Sequence, residues 1–243
     1  MNANLHGKTV LITGGARRVG KALALGVSSA GSTVIIHHAN SPGEAEATRR
    51  EIETLGGSAH ILQANLSHPT DTRRLMEQAL ELGPLYALVN NAAIFEPLTW
   101  QDTDLPRWQH HLDINLTAPF FLSQAFARAL QPEATGRIVN ILDWRALRPG
   151  PDHIPYTISK AGLTALTQSL AQALAPRITV NGIALGAILP PADGLINPKL
   201  LETIPARRWA TLDEVVETLL FLLNGPAYLT GEIIHVDGGR HLV

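Results

Sequence analysis

The chain has 243 residues, 45% hydrophobic and 16% charged, which suits one large α/β unit with a sizeable core and excludes a disordered or fibrous chain. Nineteen Lys and Arg against twenty-one Asp and Glu give a formal net charge of −2, so there is no basic field for nucleic acid or an anionic membrane. The lack of Cys removes disulfides, thiolate metal sites and cysteine nucleophiles together; with no signal-like or membrane-length apolar run, a cytoplasmic address is expected.

The first strand is expected at Val10-Leu11-Ile12, and Thr13-Gly14-Gly15-Ala16-Arg17-Arg18-Val19-Gly20 leads from it into a helix over Ala22 to Ala30. Glycines at such a turn let backbone approach a ligand, and the helix N-terminus presents N–H groups and partial positive charge, so a dinucleotide pyrophosphate fits there. The second strand, Val34-Ile35-Ile36, ends in His37-His38-Ala39-Asn40-Ser41 with no acid. A carboxylate there would accept from ribose hydroxyls and repel a 2′-phosphate, whereas Asn40, Ser41 and the Arg17 guanidinium donate to one, so NADPH is favoured over NADH. The two histidines read as a solvated strand end rather than a metal site, because no ligand set with zinc or iron spacing accompanies them.

A helix over Glu44 to Leu55 leads to a third strand at Ile61-Leu62, which runs on to Asn65-Leu66. After a helix over Thr70 to Leu82, the fourth strand, Leu85 to Val89, ends in Asn90-Asn91-Ala92. A long helical stretch from Leu105 to Leu130, a strand at Ile138 to Leu142, a helix over Ser159 to Ala175 and a strand at Ile178 to Ile183 follow. A last helix begins near Thr211 and a seventh strand spans Ile233 to Val236. Strands alternating with helices predict a parallel sheet covered on both faces, a doubly wound α/β fold in one domain over 1–243. Prolines, Asp-Gly and Asn-Pro between Pro190 and Arg208 predict a flexible substrate lobe over about 188–210.

Tyr156 and Lys160 stand four apart on one helix face, where an ammonium favours the phenolate and lowers the Tyr pKa, making Tyr156 a general acid. With the Gly-rich turn, Asn90-Asn91-Ala92, Asn115, Val180-Asn181-Gly182 and Thr230-Gly231 to Asp237-Gly238-Gly239, the chain resembles the short-chain dehydrogenase/reductase family over nearly its whole length. The resemblance implies a Rossmann-like sheet of seven strands in the order 3-2-1-4-5-6-7, NADPH-dependent hydride transfer, and a homotetramer or homodimer. It implies that Tyr156 is the proton donor, that Lys160 holds the nicotinamide ribose and assists Tyr156, and that Asn115 anchors a water-mediated proton relay. The cofactor is then held by Gly14, Arg17, Arg18, Val19, Gly20, Asn40, Ser41, Asn65, Leu66, Asn91, Ala92, Tyr156, Lys160, Gly186 and Ile188, the last through backbone. No metal is expected.

Two departures from the family pattern narrow the substrate. Arg18 stands where a second glycine is usual, and Asp143 stands thirteen residues before Tyr156, where a Ser is usual. That Ser donates to a carbonyl oxygen whose charge grows during hydride attack, while an ionised Asp143 only accepts and would repel it. A reduced pterin, whose ring nitrogens carry and receive protons, suits a carboxylate beside a Tyr. Both departures, and Phe95 four residues after Asn91, are similar to the pteridine reductase branch, including bacterial dihydromonapterin reductases. The resemblance implies a pterin between Phe95 and the nicotinamide ring, with Arg18, Asp143 and Tyr156 contacting it; packing of Phe95 and Trp144 in the core or a lid is the alternative. Ala93, Leu185 before Gly186, and Asn65 at the end of strand three depart from common family residues. A carbonyl reductase with protonated Asp143, and an NADP-binding regulatory protein without turnover, are the alternative functions.

Overall fold

The computed structural model describes residues 4–189 and 198–243. Seven strands, β1 (Thr9–Ile12), β2 (Thr33–His38), β3 (Ser58–Gln63), β4 (Ala87–Asn90), β5 (Gly136–Asp143), β6 (Ile178–Leu185) and β7 (Ile233–Val236), pair in parallel in the order β3-β2-β1-β4-β5-β6-β7. The expected fold class and strand order are borne out. Apolar residues occupy both faces of each central strand, as a sheet covered on both sides requires. Val10, Ile12, Val34 and Ile36 enter one core with Leu23, Val27, Ile52 and Leu219, from α1 (Arg18–Ser29), α2 (Pro42–Thr54) and α7 (Leu212–Asn224). Leu11 and Ile35 enter the other, with Leu75, Met76, Leu122 and Ala171, from α3 (Pro69–Glu81), α5 (Ala118–Ala129) and α6 (Ile154–Leu174). No helix among the described residues is long and apolar enough to cross a membrane.

Two helices differ from the sequence expectation in ways that shape the site. The stretch expected as one helix from Leu105 to Leu130 is α4 (Leu105–Leu112), a π-helical turn over Asp113–Thr117, and α5. The wider turn accompanies an inward Asn115, fully buried, whose amide pairs with the backbone of Ile94. The helix expected from Ser159 begins five residues earlier, at Ile154, behind His153 in a left-handed conformation at φ 52°. Tyr156 therefore lies in its first turn. The start near Thr211 is set by a reciprocal cap: Glu214 N–H donates to Thr211 Oγ1 at 3.2 Å, and Thr211 N–H donates to the Glu214 carboxylate at 2.8 Å. Part of the expected lobe, 190–197, lies outside the described residues. After it, Pro198–Thr203 forms a 3-10 helix and Ile204 is buried, with Ala206 N–H donating to Gly238 O at 3.0 Å.

Candidate active site

The carboxyl ends of β1, β4, β5 and β6 meet beside the point where the strand order reverses between β1 and β4, the place where open α/β sheets form a crevice. At the end of β1 the chain turns through Gly14, at φ 63°, into α1. A Cβ at Gly20 would stand 2.0 Å from Gly14 O, so only glycine lets α1 approach the turn this closely. Arg17 places no side-chain cap on the first N–H groups of α1. That uncapped helix start suits a pyrophosphate. Arg18 occupies φ 52°, a conformation glycine adopts freely and an Arg holds at a cost of about 1 kcal/mol, which explains why glycine is the usual residue there. At the end of β2, Asn40 is exposed and Ser41, the residue before α2, makes no capping bond with its side chain. The Asn40 and Ser41 side chains, with no acid in the strand end itself, offer donors that suit a 2′-phosphate.

His37 and His38 are not a solvated strand end: they are 2% and 5% exposed. His37 Nδ1 accepts from Gly14 N–H at 3.1 Å, and its Nε2–H donates to Ala64 O at 3.1 Å, because an amide N–H only donates and a carbonyl only accepts. The ring thus ties the Gly-rich turn to the end of β3 in the neutral Nε2–H tautomer. Burial lowers its pKa from 6.5 to about 4. The unfolded chain therefore takes up this proton first as pH falls, and stability is lost between about pH 6.5 and pH 4, by roughly 3 kcal/mol once both states are protonated. In His37→Gln, which stays neutral, thermal melting should fall less over that range than in the native chain; equal slopes would remove His37 as the cause.

The proton-handling group sits at the ends of β5 and the start of α6. Tyr156, 6% exposed, donates its hydroxyl to Asp143 Oδ2 at 3.0 Å, while Asp143 Oδ1 accepts from Arg145 N–H at 2.9 Å. Burial raises the Asp143 pKa, against the pull of those two hydrogen bonds. Burial, then the Asp143 charge, raises Tyr156 well above 10. The expected lowering of the Tyr pKa by Lys160 is not what the site does. Lys160 is 2% exposed, its Nζ donates to Ile141 O at 2.6 Å, and burial brings its own pKa down to about 8. Its charge is held by the strand carbonyl, and the Tyr hydroxyl faces a carboxylate. The site therefore keeps a protonated phenol.

Phe95 is 54% exposed, which rules out simple core packing. It meets the Tyr156 ring edge-on at 4.6 Å and stacks on His153 at 3.9 Å with a 7° interplanar angle. His153 Nδ1–H donates to Glu96 O at 2.8 Å, and Asn115 grips Ile94 through Oδ1 from its N–H at 2.9 Å and through Nδ2 to its O at 3.1 Å. The Phe95 loop is thus held on both sides of the ring. Asn115 Nδ2 also donates to Ser159 Oγ at 3.0 Å, so both of its amide hydrogens are taken by protein groups. The role it visibly plays is to place Ile94 and Phe95.

Other expected residues are nearby but serve differently. Asn91 Nδ2 donates to Thr13 O at 2.8 Å and Gly14 O at 3.1 Å, and the Asn91 and Ala92 N–H groups donate to Thr13 Oγ1, so this pair braces the Gly-rich turn. Asn65 is exposed and turns its carbonyl oxygen to Ser67, and the Leu66 side chain is buried. Val19 and Ile188 pack against the core, and Gly186 lies against Asp237. Sequence reasoning missed the parts played by His37 and His153, which carry no signal beyond being His beside a motif.

The short chain dehydrogenase family profile matches residues 8–200. A curated 3-oxoacyl-[acyl-carrier-protein] reductase of Synechocystis sp. is 34% identical, covering 97% of this chain and 97% of its own, and that of Aquifex aeolicus is 37% identical, covering 98% and 99%. Among solved structures, FolM alternative dihydrofolate reductase 1 of Brucella canis, complexed with NADP, is 38% identical with a TM-score of 0.91, covering 98% of this chain and 96% of that one. A match this long, on a sheet of the same order with Tyr156 and Lys160 at its crevice, makes the chain a member of the short chain dehydrogenase family of oxidoreductases.

Proposed function

We propose that this protein is an NADPH-dependent reductase of the C=N bond of a dihydropterin. The observation that carries the reading is the Tyr156–Asp143 hydrogen bond beside an exposed Phe95 ring. When bound, the cofactor supplies the hydride. Gly14, Arg17, Arg18, Gly20, Asn40, Ser41, Asn65, Leu66 and Lys160 would hold it, the uncapped start of α1 taking the pyrophosphate, while Asn91 and Ala92 brace the turn beneath it and Val19, Gly186 and Ile188 would offer it their backbone. The Tyr156 hydroxyl, protonated at neutral pH, delivers its proton to the ring nitrogen, and the buried Asp143 orients that hydroxyl and accepts from the substrate's N–H groups. The free face of Phe95 stacks on the flat ring. Support comes also from the likeness to FolM alternative dihydrofolate reductase structures with NADP. Exposed Phe121 on α5 and Ile158 on α6 leave apolar surface for a homotetramer or homodimer.

A second reading, reduction of a 3-oxoacyl thioester, is favoured by the names of the curated relatives. It requires Asp143 to be protonated, since only the acid donates to a carbonyl oxygen. The test is NADPH oxidation with a 7,8-dihydropterin, run beside ketones and a 3-oxoacyl thioester. Turnover of the dihydropterin is expected; turnover of carbonyl compounds alone overturns the pterin reading.

A further inference from the structure

The Asp237-Gly238-Gly239 motif has no part in the chemistry above, yet it builds one feature of the site's rim. Asp237 is 4% exposed and accepts from Gly239 N–H at 2.9 Å, His241 N–H at 2.8 Å and His241 Nδ1 at 2.7 Å. Burial alone would raise its pKa, but those bonds hold it below the usual carboxylate range. Folded in this way, the C-terminal 3-10 turn Arg240–Leu242 packs on the 3-10 turn Trp144–Ala146, which directly follows Asp143. The Arg240 guanidinium lies over the Trp144 ring, 4.0 Å from its centroid, and Arg145 lies 5.3 Å from the same ring.

The charges around this ring are unequally matched. Arg145 is paired with Asp152 at 2.6 Å, Asp237 is occupied by its own turn, and Asp143 serves Tyr156 and Arg145 N–H. Among the described residues Arg240 has no ion-pair partner, although it is half-buried. Burial, then repulsion from Arg145, lowers its pKa, while Asp143, Asp152 and Asp237 act on it only from beyond contact. A partly desolvated guanidinium, held flat and lacking a carboxylate, is a receptor for an anion. We propose that Arg240, stacked on Trp144 beside the Asp143–Tyr156 pair, binds the anionic end of the substrate's side chain, a carboxylate or a phosphate. The identity of the ring that carries this tail rests on the pterin reading; the anion site does not.

Substitution at position 240 leaves the Asp237 bonds intact, since they come from residues 239 and 241. In Arg240→Gln, the KM for 7,8-dihydropterins ending in a carboxylate or a phosphate, relative to one with a neutral hydroxyalkyl tail, should rise about tenfold. Whichever acidic tail suffers more identifies the natural one, and an unchanged ratio for both overturns the proposal. A second measurement does not depend on turnover. With NADP+ bound, millimolar inorganic phosphate should slow phenylglyoxal modification of Arg240 several-fold, read by peptide mass spectrometry, relative to the 74% exposed Arg73. If the native protein reduces no pterin, the pterin reading falls; protection of Arg240 still supports the anion site, and its absence overturns it.

Discussion

Tyr156→Phe should lower kcat for dihydropterin reduction by about three orders of magnitude, within the range by which a positioned acid accelerates a proton transfer. The Phe ring keeps the packing of α6 and the edge-on contact with Phe95 at 4.6 Å, so KM should change far less than kcat. The residual reaction reports on Asp143. Its carboxyl, raised by burial and no longer held down by the Tyr hydroxyl, becomes the acid that remains. The residual rate should therefore fall as pH rises through the raised pKa of that carboxyl, where the native protonated phenol gives no such limb. Single-turnover NADPH oxidation across pH measures both effects. A loss under tenfold would remove Tyr156 as proton donor, and a flat residual profile would remove Asp143 from that role.

The layered fold was legible because every central strand is a run of apolar residues with one covered face on each side, as Val10-Leu11-Ile12 and Val34-Ile35-Ile36 illustrate. The π-helical turn at Asp113–Thr117 was not, since one extra residue per turn leaves the apolar periodicity of Leu105 to Leu130 nearly intact. The first turn of α6 was hidden for the opposite reason: Pro155 and a left-handed His153 break the periodic pattern although the backbone is already helical. At the site, residue identities were legible and residue environments were not. His37 looks solvated in the sequence because its partners Gly14 and Ala64 are 23 and 27 residues away. The Tyr156–Lys160 spacing suggested a lowered Tyr pKa, but burial and Asp143, thirteen residues upstream, decide the direction. Spacing along a helix gives proximity; it does not say which neighbour the hydroxyl faces.

Asp143→Ser should lower kcat/KM for the dihydropterin about a hundredfold and raise the reduction of activated ketones from the native level. Asp143 accepts two hydrogen bonds, from Tyr156 and from Arg145 N–H, and an ionised carboxylate in that place repels the negative charge that grows on a carbonyl oxygen. A serine hydroxyl donates instead, and donors aimed at such an oxygen are worth about two to three orders of magnitude in rate. The same substitution removes the charge that raises both Tyr156 and Lys160. The Tyr156 pKa should fall, and that of Lys160 should drop further below about 8, so an ammonium-dependent rate would decline at lower pH in the variant than in the native enzyme. Asp143→Asn separates the causes, because it removes the charge while keeping an acceptor oxygen and adding a donor. If loss of charge governs, both variants lose pterin reduction and both gain ketone reduction. If only Ser gains ketone reduction, hydroxyl geometry governs. Pterin turnover that is unchanged in both would leave Asp143 without the proton-handling role that sets this site apart from an ordinary carbonyl reductase.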